Sequence, residues 1–334
     1  MKALIKGDDK VDARTASKEL LYSEQYILDK WVEESRAYAA TGQTAAYIPA
    51  LQNVEALQLG ICIIEPNGRM LKSGEADCFF TLQSISKVIS FIVACMHHSI
   101  SYVLERVDVE PTGDSFNSIV RLEVNHFGKP FNPMINAGAI TIASLLPGSS
   151  AEEKIQSVTA LLKQITGRPF QIDETVFQSE WKSAHRNRAL AYYLKDNGHL
   201  ESDVEETLTV YLKQCAIQAT SEDIALAALI LSQDGYHPFL KKQVIPIEVA
   251  KLAKVLMVTC GMYNASGKFA AHVGIPAKSG VSGGIMALVL PNKGPFLEGC
   301  GIGIYGPAID QYGNSLAGVK LLKKIASEWN LSIF

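Results

Sequence analysis

The 334-residue sequence lacks the patterns that mark several large classes of proteins. Its six cysteines are scattered and form no C-x-x-C pair, so we expect reduced and mostly buried thiols, with no disulfides. The histidines form no H-E-x-x-H motif, and the neighbours His97 and His98 point apart on a helix. The sequence therefore predicts neither a metal nor another cofactor.

Charge and hydropathy exclude two further classes of partner. The net charge is −3 and no lysine or arginine run is present, which argues against nucleic acid. The longest apolar run begins at Val88 and meets His97 within about ten residues, too short to cross a bilayer. The first residues are charged and lack the apolar core of a signal peptide, so a cytoplasmic protein is predicted.

Hydrophobic periodicity places strands at both ends of the chain and helices between them. Residues 15–45 predict a helix, because Leu20, Leu21, Ile27, Leu28 and Trp31 share one face. A strand beginning at Leu57 precedes Asn67-Gly68, a strong hairpin turn. Further helices are predicted over 85–97, 150–166, 183–195, 203–215, 221–233 and 248–259. Two strands follow, and a last helix runs from about Ser315 to Trp329.

This order of elements predicts an α+β fold, with an antiparallel sheet flanked by the terminal helices and a helical subdomain inserted. We expect a single catalytic domain over residues 20–334. Its α/β part would comprise about 20–80 and 260–334, and its helical part about 81–259. The active site is expected where the two parts meet.

The segment Ser84-Ile85-Ser86-Lys87 fits S-x-x-K and opens an apolar helix. Its serine and lysine share a helical face, and the helix start favours a developing oxyanion. A lysine on a buried helix is desolvated, so its pKa falls and it can activate the serine as a base. Ser179 and Lys182 fit the same pattern but lie in a polar stretch, which separates the two matches.

A second motif, Lys278-Ser279-Gly280, stands before a strand. S-x-x-K together with K-[ST]-G is typical of serine acyl-transfer enzymes on the penicillin-binding fold. Two other patterns are weaker indications of function. The G-x-S-x-G match at 280–284 is followed by a strand and not by a helix, and the G-x-G-x-x-G match at 301–306 lies inside a strand. We expect the latter glycines to pack that strand against a helix.

Several segments together resemble the glutaminase family, whose members hydrolyse L-glutamine to L-glutamate and ammonia. The matching stretches are 46–49 (AYIP), 83–87 (QSISK), 128–139 (GKPFNPMINAGA), 180–187, Tyr211, 261–263 (GMY) and 278–284 (KSGVSGG). They follow the family's order. The resemblance implies the β-lactamase/transpeptidase-like fold, no cofactor, and a homo-oligomer, either a dimer or a tetramer. The chain is similar to the compact bacterial members, without the added regions of the animal enzymes.

The resemblance also implies roles for individual residues. Ser84 would be the nucleophile, Lys87 its activating partner, and Tyr263 a hydrogen-bonding partner of both, with the base left open between Lys87 and Tyr263. The backbone N–H groups of Ser84 and Val281 would form the oxyanion hole. The substrate-binding set would comprise Tyr47, Ser84, Asn136, Glu180, Asn187, Tyr211, Tyr263 and Val281.

The residue types in this set suit free glutamine. Glu180 can pair with the α-ammonium, while amides and phenols can bind the carboxylate, and the seven-residue spacing from Glu180 to Asn187 suggests one helical face. Considered singly, each residue has an ordinary alternative: Asn136 a turn, Glu180 a solvated surface, the tyrosines a core. A β-lactamase or D-alanyl peptidase, and a glutamine-sensing binding protein, are the rival functions.

Overall fold

The computed structural model describes residues 13–115, 117–119, 122–123 and 128–334, and the predictions for the first twelve residues lie outside this part. Its centre is a five-stranded antiparallel sheet in the order β2-β1-β9-β8-β7. The strands of the described part, five of which form this sheet, are β1 Gly60–Ile64, β2 Met70–Gly74, β3 Phe80–Thr81, β4 Gln218–Ala219, β5 Tyr236–His237, β6 Lys242–Gln243, β7 Ala277–Ser279, β8 Gly284–Val289 and β9 Cys300–Tyr305. The two ends of the chain thus meet in one sheet.

The first hairpin forms where Asn67-Gly68 predicts it. Gly68 has a φ of +87°, which glycine adopts without strain, and the Asn67 side chain accepts a hydrogen bond from the Arg69 N–H at 2.8 Å. Strands β1, β8 and β9 are buried along their whole length. They are therefore covered on both faces, which explains their nearly continuous apolar sequence.

The terminal helices cover one face of the sheet. In the chain order used here, these are α1 (Ala13–Arg36) and α12 (Leu316–Glu328). Leu28 and Trp31 on α1 are buried as predicted, in one cluster with Ile285, Leu321 and other residues of this layer. The side chains of 20 and 21 lie outside the described part.

Helix α9 (Ser221–Ser232) covers the other face and explains two glycines of β9. A Cβ at Gly301 would lie 1.9 Å from the Ala225 carbonyl oxygen, and one at Gly303 would lie 1.9 Å from that of Ser221. Only glycine permits this approach, so the predicted packing role of the G-x-G-x-x-G segment is confirmed. The helix begins with the capping box of Thr220 and Asp223.

The remaining helices form the middle of the chain: α2 Ser86–His98, α3 Ile100–Arg106, α4 Asn136–Ser144, α5 Ala151–Thr166, α6 Glu174–Ser183, α7 His185–Asp196, α8 Val204–Cys215, α10 Ile247–Cys260 and α11 Ser266–His272. Most of the predicted helices are confirmed within two residues. The predicted helix over 15–45 is too long, because Gln43 pairs with Ile309 in an isolated antiparallel bridge.

The predicted helix over 183–195 is wrong at its start, since the chain breaks at Ala184 into α6 and α7. Ala184 has a ψ of +25°, outside the helical range. The Arg188 guanidinium donates to the Trp181 carbonyl at 3.0 Å and lies 4.6 Å over its ring. This contact satisfies the end of α6 and stabilises the break.

Two searches of the described ranges bear on membranes and metals. No single helix there is long and apolar enough to span a bilayer; Gln83–His98 and Ile100–Arg106 pass such a test only as a pair bent by 119°. Nor do the described residues contain three histidine, cysteine, aspartate or glutamate side chains grouped to hold a metal ion. All six cysteines are free thiols.

Candidate active site

A cavity of about 390 Å³ opens between the β7–β8 turn and the helices of the middle segment. The predicted binding residues Tyr47, Ser84, Asn136, Glu180, Asn187, Tyr211 and Val281 line it, together with Gln83, Arg186 and the loop 310–313. Tyr263 borders a neighbouring cavity of about 490 Å³. Residues separated by more than 200 positions in the sequence thus converge on one site.

Ser84 lies on a short 3-10 helix, Gln83–Ile85, directly before α2. It is 9% exposed, so its hydroxyl faces the cavity while the rest of the residue is enclosed. Gln83 has a φ of +47°, an uncommon conformation for a residue other than glycine. The Ser86 hydroxyl donates to the Gln83 carbonyl at 2.7 Å, which fixes this turn.

Lys87 follows one helical turn later and is completely buried. Its ammonium donates to the Met134 carbonyl at 3.1 Å and to Asn136 Oδ1 at 2.8 Å. Burial lowers the pKa of Lys87 to about 8, because desolvation disfavours the charged form more than Cys215 and Glu180 favour it. A neutral amine is therefore accessible near neutral pH.

Asn136 connects Lys87 to Asn187 on the cavity wall. Its Nδ2 donates to Asn187 Oδ1 at 3.0 Å while its Oδ1 accepts from Lys87. The alternative of a simple turn is wrong, since Asn136 begins helix α4. Asn132 sets the entry to that helix, because its Oδ1 accepts from the backbone N–H groups of Met134 and Ile135.

Glu180 is 9% exposed, so the alternative of a solvated surface glutamate is wrong. Burial raises the pKa of Glu180 to about 7, and interactions with Gln83 and Lys87 oppose that rise. Glu180 and Asn187 lie on the separate helices α6 and α7, which corrects the expectation of a single helical face. Both nevertheless line the cavity.

The three tyrosines occupy different environments. Tyr47 is 60% exposed at the cavity mouth, so it is no core residue, whereas Tyr211 on α8 is 4% exposed. The Lys87 ammonium lies 5.9 Å from the centroid of the Tyr211 ring. Burial raises the pKa of the Tyr211 phenol well above its ordinary value, so this hydroxyl stays protonated and can donate a hydrogen bond.

Tyr263 is 8% exposed. Burial raises the pKa of its phenol, and an interaction with the Ser84 side chain opposes that rise. The Lys278 ammonium lies 4.4 Å from the centroid of the Tyr263 ring. Lys278 is fully buried, donates to the carbonyls of Gly261 at 3.0 Å and Ser279 at 2.6 Å, and has a pKa well below its ordinary value through burial.

Val281 lies in the turn from β7 to β8, facing Ser84 across the cavity. The Gly280 N–H donates to Gly284 and the Gly283 N–H to Gly280, each at 2.9 Å. The Ser282 hydroxyl donates to the Thr81 carbonyl at 2.6 Å. A Cβ at Gly280 would lie 2.6 Å from the Leu82 carbonyl oxygen, so glycine lets the turn approach the segment just before Ser84.

The second S-x-x-K match has no such surroundings. Lys182 is exposed, and Ser179 accepts a hydrogen bond from the Ala50 N–H at 3.3 Å.

Sequence reasoning overlooked Gln83, Arg186 and the loop 310–313 as residues of the cavity. Gln83 beside Ser84 and Arg186 beside Asn187 offered a signal through their position, whereas the loop 310–313 reaches the site only through long-range folding.

Comparisons with known proteins agree with this geometry. The family model described as glutaminase matches residues 42–334. Glutaminase 2 of Bacillus cereus is 67% identical over 93% of this chain and 96% of its own length. Glutaminase 1 of Bacillus subtilis is 66% identical over 92% and 95%.

Solved structures give the same result. A probable glutaminase of Bacillus subtilis superimposes with a TM-score of 0.89 at 63% identity, covering 93% of this chain and 98% of that one. A second structure is that of a Bacillus subtilis glutaminase in covalent complex with 5-oxo-L-norleucine, formed from 6-diazo-5-oxo-L-norleucine. It superimposes with a TM-score of 0.86 at 61% identity, covering 93% of this chain and 100% of that one.

Fold and comparisons together define an amide hydrolase with an α+β fold of the β-lactamase/transpeptidase-like kind. The chain belongs to the glutaminase family and acts on glutamine.

Proposed function

We propose that the chain hydrolyses L-glutamine to L-glutamate and ammonia through a γ-glutamyl ester on Ser84. The observation that carries this mechanism is the completely buried Lys87, which lies one helical turn from a serine on the cavity wall. Its pKa is lowered to about 8. The covalent complex of the Bacillus subtilis relative with a glutamine analogue is consistent with an acyl-enzyme.

Lys87 is the base in this mechanism. Burial favours its neutral form, whereas burial keeps the Tyr263 phenol protonated. The Lys87 amine takes the Ser84 hydroxyl proton as Oγ bonds to the side-chain amide carbon. Tyr263 then donates its proton to the departing amide nitrogen, the C–N bond breaks, and Lys87 returns the proton to the phenol.

The oxyanion lies between the backbone N–H groups of Ser84 and Val281. The N-terminal end of α2 adds a partial positive charge there, and the enclosed cavity strengthens both hydrogen bonds. Deacylation follows the reverse route: Lys87 takes the Tyr263 phenol proton, and the phenolate takes a proton from water as the water oxygen bonds to the ester carbon. Lys87 then returns its proton to Ser84 Oγ as the ester C–O bond breaks and glutamate leaves.

Recognition of the amino-acid end uses the cavity mouth. Glu180 pairs with the α-ammonium, while Tyr47, Asn187 and Tyr211 hydrogen-bond the α-carboxylate. Asn136 links this wall to Lys87, so substrate position and base position depend on each other. A peptide-internal glutamine lacks both charged groups and would leave these buried polar groups unpaired. The free-energy cost of the unpaired groups makes the site selective for free glutamine.

The decisive test compares Ser84→Ala with Ser179→Ala, the serine of the second S-x-x-K match. Ser84→Ala should lower kcat for ammonia release by at least about 10³-fold while glutamine binding stays measurable by calorimetry. Ser179→Ala should match the wild type. Near-normal turnover in Ser84→Ala would sink the assignment.

Two further measurements separate the mechanism from its rivals. 6-Diazo-5-oxo-L-norleucine should add mass to a peptide containing Ser84, and no such adduct should form in Ser84→Ala. Asparagine and a glutamine-containing peptide should be poor substrates, and nitrocefin should not be hydrolysed. The proposed homo-oligomer and cytoplasmic location are checked by light scattering and by cell fractionation.

A further inference from the structure

A tight turn between β9 and α12 borders the active site, and none of the roles given above uses it. Asp310 Oδ1 accepts from the N–H groups of Tyr312 at 2.8 Å and Asn314 at 3.0 Å. The Asp310 N–H donates to the Asn314 carbonyl at 2.9 Å, and the Gly313 N–H donates to the Asp310 carbonyl at 3.0 Å. Four hydrogen bonds within five residues make this a self-locked turn.

The turn is also anchored at its base. Ile309 and Gln43 exchange backbone hydrogen bonds of 2.9 and 3.2 Å. Ile309 forms a second bridge with Ser315, whose hydroxyl caps α12 by accepting from the Gly318 N–H at 3.1 Å. The turn therefore has a fixed position relative to the sheet and to the segment that leads to Tyr47.

Gly313 touches the reacting centre from this fixed position. It has a φ of +95°, and a Cβ there would lie 3.0 Å from Val281 Cγ1 and 3.4 Å from Tyr263 Cε2. The glycine backbone thus packs directly on the Tyr263 ring. A side chain at this position would crowd Val281 Cγ1, would lie at van der Waals distance from the ring, and would strain the backbone at its positive φ.

Asn314 holds the chain just before that ring. It is 1% exposed, and its Nδ2 donates to the Met262 carbonyl at 3.3 Å. Tyr263 itself has a φ of +51°, a conformation that persists only where the surroundings enforce it. Val281 needs no such support, since its turn is fixed by the hydrogen bonds of Gly280, Ser282 and Gly283.

We propose that Gly313 and Asn314 are positioning residues, which hold the Tyr263 phenol at the distance from Ser84 that proton transfer requires. The inference rests on the role proposed for Tyr263. Gly313 supplies the positive φ that lets the turn lie against the ring and leads into Asn314, and Asn314 maintains the backbone conformation that directs the ring. Neither residue takes part in a bond-forming step.

The test uses Gly313→Ala with Gly167→Ala as its matched control. Gly167 also has a positive φ, of +79°, at the end of α5, but a Cβ there would meet nothing within 4 Å. Both variants should lose melting temperature through the strained φ, and Gly313→Ala should lose more because its Cβ also crowds Val281. Only Gly313→Ala should lower kcat, by about tenfold or more, with KM within about threefold, because Glu180 and Asn187 are undisturbed.

A double-variant series shows which group is displaced. Gly313→Ala and Asn314→Ala should each lower kcat in the wild type but by less than about threefold in Tyr263→Phe, where the positioned hydroxyl is gone. An undiminished effect in that background overturns the proposal, as does a Gly313→Ala kcat equal to that of Gly167→Ala while Tyr263→Phe is impaired. Full kcat in Tyr263→Phe instead overturns the proton role of Tyr263 as well.

Discussion

Lowering the pH from about 9 to about 6 should reduce catalysis and substrate binding separately. Lys87 acts as a base only when neutral, and burial lowers its pKa to about 8. Glu180 binds an ammonium only when ionised, and burial raises its pKa to about 7. One pKa is lowered and the other raised, yet both active forms are lost as the pH falls.

The size of the effect follows from these two values. With a pKa of about 8, Lys87 is neutral in about half of the molecules at pH 8 and in about 1% at pH 6. With a pKa of about 7, Glu180 is ionised in about 90% at pH 8 and in about 10% at pH 6. The product of the two fractions predicts that kcat/KM falls by roughly 500-fold between pH 8 and pH 6.

The two groups can be told apart by the steady-state parameter that each controls. The kcat/KM profile reports the free enzyme, so its logarithm should rise with a slope of about two below pH 7 and about one between 7 and 8. Bound substrate places its ammonium beside Glu180 and lowers the pKa of that carboxyl. The kcat profile should therefore retain only the Lys87 limb.

The assay is direct quantification of glutamate at each pH, after confirming by circular dichroism that the protein stays folded. Glu180→Gln removes the lower limb of the kcat/KM profile and raises KM throughout, and it moves the kcat limb below pH 8, because the Glu180 carboxylate favours the charged form of Lys87. A kcat/KM that is flat between pH 6 and 9 would refute the reasoning. So would a kcat at saturating glutamine that falls towards pH 9, since the protonated lysine would then be the active form.

Two further predictions concern single positions. Asn136→Ala removes one of the two acceptors of Lys87 and the donor to Asn187, so kcat/KM for glutamate formation should fall by about 10- to 100-fold and the free energy of unfolding should fall by about 1–3 kcal/mol. Gly303→Ala places a Cβ against the Ser221 carbonyl, so the free energy of unfolding in urea should fall by about 3 kcal/mol. An unchanged urea midpoint would contradict the packing argument.

The elements that the sequence predicted well carry local signals. The hairpin at Asn67-Gly68 and the capped start of α9 at Thr220 depend on a few neighbouring residues. Helix α4 carries no such signal: it is buried on every side, so its sequence shows no helical periodicity. The break at Ala184 depends on Arg188 reaching back to Trp181, a contact that spacing alone does not reveal.

The active site divides in the same way. The S-x-x-K motif and its buried helix made Ser84 and Lys87 identifiable from chemistry, because the two residues lie three positions apart on consecutive helical segments. The other predicted binding residues are distributed over α4, α6, α7 and α8 and over the segments that carry Tyr47, Tyr263 and Val281, and in the sequence each of them singly has an ordinary structural explanation. Only the resemblance to a family selected them, and the division into an α/β part and a helical part stays a prediction.

The pairing of β1 with β9 has a consequence for how the protein is made. Gly60 pairs with Tyr305, so β1 gains this neighbour only after roughly 240 further residues have been synthesised. Until then a fully apolar strand lacks one of its two partners, which favours chaperone binding and slow folding. The wall bearing Val281 belongs to the same late segment, so a ribosome-bound chain that ends before it should be unable to hydrolyse glutamine.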